Sequence, residues 1–198
     1  MNTLIPKIKT YCANLIRESR CDGLPFHNLS HTLSVYRAAR KIGLYEKISP
    51  ADLELVSIAA LFHDIGYAEV YHGHEEKSAD HASYYLNQSD FSSLKTQKIT
   101  TCIESTQVPQ RPQNIQQQIL CDADLAHLGS KDFEKKNNDL RKEWEVVLNK
   151  SFSEKEWLLF NINFLRAHRY HTTFGKEVLE PQKQINLEKL IAKYEALK

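Results

Sequence analysis

The stretch Ala60-Leu61-Phe62-His63-Asp64-Ile65-Gly66-Tyr67 sets a histidine and an aspartate side by side inside an apolar run. A carboxylate in such a place has to be paired, hydrogen-bonded or bound to a metal. The residues before it, "SPADLELVSI", read as a helix start: Ser49 as cap, Pro50 at the first helical position, and Asp52 and Glu54 in the first turn. A helix is expected from there, ending at Gly66. Neighbouring helical side chains point about 100° apart, so His63 and Asp64 can both converge on an ion in front of the helix. Imidazole and carboxylate together suit Zn, Mn, Fe, Ni or Co, with Mg less natural at a histidine. Taken alone, an H-D dipeptide is more often a helix C-terminus with a capping aspartate and a satisfied core histidine.

Outward from that segment, apolar residues recur at helical spacing nearly everywhere. In the first helix Ile5, Ile8, Tyr11, Cys12, Leu15 and Ile16 form one stripe. Further helices are expected at about 30–42, 75–88, 92–105 and 115–128, the last stopped by Gly129. Two more cover "SKDFEKKNNDLRKEWEVVLNK" and "SFSEKEWLLFNINFLRAHRY", and the tail "NLEKLIAKYEALK" makes a last amphipathic one. "CDGLPFHN" and "TQVPQRPQNIQQQ" are loops. No convincing strand alternation or internal repeat is visible. The predicted fold class is all-α, with residues 1–198 as a single domain.

The bulk numbers restrict the function classes. Length 198 suits one domain. A net charge of +1 supplies no global basic field for a nucleic acid polymer or an anionic membrane. Cys12, Cys21, Cys102 and Cys121 form no C-x-x-C pair, so reduced thiols are expected. No export signal and no membrane-length apolar run are seen, and a cytoplasmic location is the expectation. A homodimer is left open.

Two other clusters carry ionisable residues. "FHNLSH" places His27 and His31 four apart, on one face if the helix begins early enough, with Asn28 or Ser30 as its cap. "ILCDADLAHLG" sets Asp122 and Asp124 in an otherwise apolar segment, where two carboxylates need a positive partner.

In the order H…HD…D, these clusters resemble the HD-domain metal-dependent phosphohydrolases, over roughly residues 25–130. The match is His31, His63-Asp64 and Asp124, in the contexts "FHNLSHTLSV", "AALFHDIGY" and "HEEKSADHASYYL". "FHNxxH" also resembles the signature of cyclic-nucleotide phosphodiesterases, a distant branch of that superfamily. The resemblance implies an HD-domain/phosphodiesterase-like helical bundle around a divalent metal ion (Mn, Mg, Fe, Co, Ni or Zn), with the helices of 131–198 completing it. His31, His63, Asp64 and Asp124 would be its ligands. Asp124 is preferred for the leucine that follows it, and Asp122 would then hold a ligand or a water from behind. The opposite assignment stays open.

Such an ion activates water and neutralises phosphoryl charge, and phosphoryl transfer asks little else of the protein beyond positioning. Asp64 would hold the attacking water if it also bridges to a second ion, and the resemblance makes His27 the proton donor to the leaving oxygen. His74 would line the pocket and reach a second, weaker ion. Two-metal relatives use a further histidine where this chain carries Thr106, which argues against a full second site. His72 and His81 read as surface residues, and Trp144 and Trp157 as core. Arg166, His168, Arg169 and His171 form a local basic cluster suited to phosphate oxygens and are candidate substrate residues.

The expected activity is hydrolysis of a phosphate ester of a small molecule, a nucleotide or cyclic nucleotide by preference. The alternatives are a non-catalytic metal-binding sensor or interaction module, and a di-iron HD-type oxygenase, which would want a full two-metal ligand set.

Overall fold

The computed structural model describes residues 4–88 and 91–197. Among them are nine α-helices and no strand, which is the all-α fold expected. They group into two compact units, Met1–Asp124 and Leu125–Lys198.

In the first unit, α1 (Leu4–Arg17) buries Ile8, Cys12 and Ile16, a stripe at four-residue spacing. Helix α2 (Leu29–Tyr45) begins after Asn28, whose Oδ1 accepts from the backbone N–H of Ser30 at 2.9 Å and of His31 at 3.2 Å. The cap leaves His27 outside the helix, so the expected one-face pairing of His27 with His31 does not form. Helix α3 (Pro50–Phe62) is capped by Ser49 Oγ, which accepts from the Asp52 N–H. Every residue from Leu55 to Phe62 is buried. A helix apolar all round belongs in the middle of a domain, and α3 has α1, α2, α5 (Ser93–Glu104) and α6 (Ile115–Asp124) against it.

The end of α3 departs from expectation. It stops at Phe62, not at Gly66, and Ile65–Ala68 forms a separate 3₁₀ turn. Gly66 serves close approach rather than helix capping. A Cβ there would lie 2.0 Å from the carbonyl oxygen of His74, at the start of α4 (His74–Asn87). The Gly66 N–H donates to buried Ser78 Oγ on α4 at 2.8 Å. Helix α6 likewise stops at Asp124, before the expected Leu128, and tightens into a 3₁₀ segment over Leu125–Gly129. All four cysteines are free and buried, and burial pushes the Cys102 and Cys121 thiols up to about 12, which makes them poor nucleophiles.

The second unit contains α7 (Phe133–Val147), α8 (Glu154–Ala167), a π-helical turn (Gly175–Leu179) and α9 (Glu180–Ala196). Helix α9 starts well before the amphipathic tail that the sequence shows, with Pro181 in its first turn. Ser153 and Glu156 form a capping box at α8. The core comprises Leu128, Phe133, Leu158, Ile162, Leu165, Leu187 and Leu190. Trp157 is buried and donates from Nε1 to Asn137 Oδ1 at 2.7 Å, whereas Trp144 is half-buried, edge-on to it. No described helix is long and apolar enough to cross a membrane.

Candidate metal centre

Three parts of the first unit deliver four side chains to one point. His31 comes from the first turn of α2, His63 and Asp64 from the break after α3, and Asp124 from the last residue of α6. One ligand atom from each lies within 4.8 Å of all the others. His31 Nε2 stands 3.2 Å from Asp64 Oδ2 and 3.3 Å from Asp124 Oδ1, and His63 Nε2 stands 3.1 Å and 3.5 Å from the same two oxygens. The two Nε2 atoms face each other at 3.4 Å.

The orientation of His63 has a local cause. Its Nδ1 is 2.9 Å from the Ala60 carbonyl, so in the donating tautomer the backbone of α3 aims Nε2 at the cluster. That contact is available because α3 ends at Phe62. Asp64, one residue further, has left the helix altogether and turns back toward the same point.

These residues fit a divalent cation. Asp64 Oδ2 is buried and no hydrogen bond is aligned on it, despite two imidazole nitrogens close by. An acceptor in that state is costly without a positive charge in front of it. Burial by itself pushes the His63 imidazole down, but Asp64 and Asp124 outweigh it and hold it up at about 10. His31 is raised for the same reason, against its own burial. The carboxyls answer in kind: burial pushes Asp64 and Asp124 up, and the two histidines bring both below the usual carboxylate range. The cluster demands positive charge, as protons on the imidazoles or as a cation between the four side chains. Two imidazoles and two carboxylates are a donor set for a borderline or hard transition metal.

Asp124, and not Asp122, belongs to the four. Asp122 is fully buried two residues earlier on α6.

Around the cluster the structure gathers residues from three stretches of chain. His74 Nε2 is 3.5 Å from Asp64 Oδ1, and its Nδ1 is 3.6 Å from Glu75. Burial would lower the His74 pKa, but its bond to Asp64 raises it. The His27 ring stacks on Tyr67 at 4.1 Å, with the His31 ring edge-on at 5.8 Å. Tyr67 is a site residue that the sequence reading missed, and its position three after Asp64 was the available signal. Burial and the nearby Asp64 keep its phenol protonated, well above the ordinary range. His72 is exposed, and His81, partly covered, pairs with the exposed Glu69 at 2.8 Å. Thr106 is buried, and its hydroxyl donates to Ile103 O at 2.7 Å.

The basic residues of the tail lie in the second unit. Arg166 is exposed on the last turn of α8. Arg169 turns its guanidinium back onto the carbonyls of Arg166 and His168. His168 stacks on Phe164 and lies edge-on to Tyr170. Burial, then the charge of Lys183, pushes it down to about 3, and its Nε2 has no hydrogen-bond partner. Lys183 is fully buried, donating to His168 O at 2.8 Å and pairing with Glu180 at 2.9 Å. His171 is half-buried nearby.

Fold and donor set together define an all-α protein with a histidine–aspartate centre. The chain belongs to the HD domain family, whose model matches residues 28–129, a span that includes all four cluster residues. Among solved structures it is similar to a predicted HD superfamily hydrolase from an uncultured Thermotogales bacterium, with a TM-score of 0.56 and 24% identity over 79% of this chain and 88% of that one. It is also similar to Bacillus subtilis YpgQ in complex with ADP, with a TM-score of 0.67 and 13% identity over 97% of each chain. At such identities the likeness is one of fold. No curated protein sequence matches the chain.

Proposed function

We propose that this protein is a metal-dependent phosphohydrolase that cleaves a phosphate ester of a small molecule, with a nucleotide or cyclic nucleotide as substrate class. The observation that carries the reading is the buried Asp64 Oδ2, without an aligned hydrogen bond, among three other metal-type donors within 4.8 Å. His31, His63, Asp64 and Asp124 would hold the ion. When bound there, a divalent cation acidifies water and neutralises charge on the phosphoryl group. The protein's share is positioning and proton handling. Asp64 accepts a hydrogen bond from the attacking water and orients it. His27 protonates the leaving oxygen, and His74, tied to Asp64, lines the pocket opposite. The complex of YpgQ with ADP, in a protein of the same fold, supports a nucleotide ligand.

A di-iron oxygenase is less well supported. The position where a further imidazole would serve a second ion holds Thr106, whose hydroxyl is committed to Ile103 O.

Metal content of the purified protein, followed by hydrolysis of phosphate monoesters, diesters and nucleotides with Mn, Mg, Co and Ni, tests the reading. Near-stoichiometric metal and a turnover that vanishes in Asp64→Ala and Asp124→Ala are expected. Protein that binds no metal, turns over nothing and keeps its thermal stability in both variants would overturn it.

A further inference from the structure

Tyr67 occupies an unusual place. Its ring stacks on His74 with centroids 3.8 Å apart and planes 18° apart, and on His27 at 4.1 Å and 28°. The centroids of His27 and His74 are 6.4 Å from each other. Two rings on one face of Tyr67 at those distances would lie closer together than that, so the histidines cover opposite faces. One phenol ring thus sets the spacing and tilt of two imidazoles that come from different parts of the chain, the loop before α2 and the first residue of α4.

Tyr67 is itself held on several sides. Arg20, exposed at the end of the α1 region, donates from Nε to the Tyr67 carbonyl at 2.7 Å. The preceding Gly66 N–H donates to Ser78 Oγ, and Gly66 packs so tightly against the carbonyl of His74 that no side chain fits. Tyr71 closes the edge, with ring centroids 5.0 Å away at 61°. A turn anchored to α4, to Arg20 and to its own aromatic neighbour leaves the ring little freedom, and a rigid slab between two histidines transmits that rigidity to both.

The geometry points to Tyr67 as a positioning residue, one that acts through its ring face by holding His27 and His74 in register with the metal centre. This rests on the phosphohydrolase reading, in which those histidines serve the reaction. Stacking needs the ring face and not the hydroxyl, so phenylalanine should substitute and leucine, of comparable bulk without a π-face, should not. Small displacements of a reacting group are expensive in rate, and binding of substrate is affected less.

The test uses the full chain, bis-p-nitrophenyl phosphate with Mn for kinetics, and the Zn-loaded protein for NMR. In Tyr67→Leu, the protein folds with a lowered melting temperature and wild-type metal content, kcat falls by about tenfold to a hundredfold, and KM moves little. Tyr67→Phe restores most of kcat. The ring-proton signals of His27 and His74, shielded by the phenol ring, move downfield together in Tyr67→Leu and stay in Tyr67→Phe. Arg20→Met, a surface change, cuts the anchor on Tyr67 and produces a smaller loss of kcat with shifts at both histidines, and it decides the matter if the leucine variant does not fold. Wild-type kcat in Tyr67→Leu, equal damage in Tyr67→Phe, or a change confined to KM would each overturn the proposal. If the wild type hydrolyses no phosphate ester, the phosphohydrolase reading falls, and unmoved His27 and His74 signals in the leucine variant would separately dismiss Tyr67 as the holder of the two rings.

Discussion

His31 Nε2 and His63 Nε2 face each other at 3.4 Å although thirty-two residues separate them in the chain. Two imidazole nitrogens that close either share one proton as an N–H···N hydrogen bond or repel as like lone pairs or like charges, and a cation between them removes that repulsion. Asp64 and Asp124 bracket the pair and complete a site that selects a cation.

Substitution distinguishes the two aspartates of α6 as ligands. Asp124→Asn removes a carboxylate from the cluster and should lower metal content to a small fraction of wild type. Asp122→Asn leaves the four-residue group itself intact and should retain stoichiometric metal, with affinity weakened by no more than about tenfold to a hundredfold if Asp122 supports a ligand from behind. Elemental analysis of the two purified variants decides, and the reverse ranking would transfer the ligand role to Asp122.

Loading should be pH-dependent. The carboxylates hold the His63 imidazole up at about 10, against the effect of burial, so it carries a proton at neutral pH that coordination must displace. Raising the pH removes that competitor. Apparent affinity for Mn or Zn should therefore rise through the neutral range, by up to about tenfold per pH unit for each proton displaced. Calorimetric titration in two buffers of different ionisation enthalpy should show different heats, reflecting protons released; identical heats would contradict this.

Gly66→Ala should be among the most damaging small substitutions in the first unit. Its methyl group would lie 2.0 Å from the His74 carbonyl, with Lys77 Cβ and the Ser78 nitrogen at 2.8 Å, and backbone cannot step aside as a flexible side chain can. The expected loss is about 1–3 kcal/mol by overpacking, read by urea denaturation. His74 should shift with it, so a variant of unchanged stability with an unmoved His74 signal would refute the close packing.

Asn28→Ala links stability to the site. Asn28 caps α2 through two backbone N–H groups, one of them that of His31, and its own amide donates to the carbonyls of Leu24 and Pro25. Losing the cap should cost about 1–2 kcal/mol, with frayed residues at the α2 start and weaker metal binding at His31. Unfolding curves and metal titration measure the two effects.

In the second unit, His168 should make stability fall with acid. Burial and Lys183 hold it at about 3, against an ordinary 6.5. Between those values the unfolded chain binds a proton that the folded one refuses, so its contribution is intact above about pH 6.5 and declines below it, by up to about 1.4 kcal/mol per pH unit. Urea unfolding of wild type and His168→Gln between pH 7 and 4.5 should show a steeper decline in the wild type, and parallel curves would count against the assignment.

Much of this molecule is legible in its linear order. The recurring apolar spacing, the Ser49-Pro50 start and the capping residues announce helices because these are local properties of a 3.6-residue repeat. The residues of the cluster also announce themselves, since a histidine or carboxylate among apolar neighbours has a cost that something must offset.

Less visible was where the helices stop. Gly66 and Gly129 look like helix ends, but each is small because backbone passes close by, at His74 and at Leu179. A close approach between segments leaves no local signature, so α3 and α6 both end earlier than the glycines suggest. The ending of α3 matters, for it frees Asp64 to turn toward the ion site while Ala60 steers His63.

By itself, then, the sequence determined an all-helical chain and supplied His31, His63, Asp64 and Asp124 in an order that marks the HD domain. Only the tertiary structure decided that Asp124 rather than Asp122 joins the cluster, that His27 meets Tyr67 instead of sharing a helix face with His31, and that one tyrosine spaces two histidines. The reason is physical: helix formation is governed by neighbours three and four residues apart, whereas the convergence of residues 27, 31, 63, 64, 67, 74 and 124 is governed by how α2, α3, α4 and α6 pack, through contacts that span nearly a hundred residues of chain.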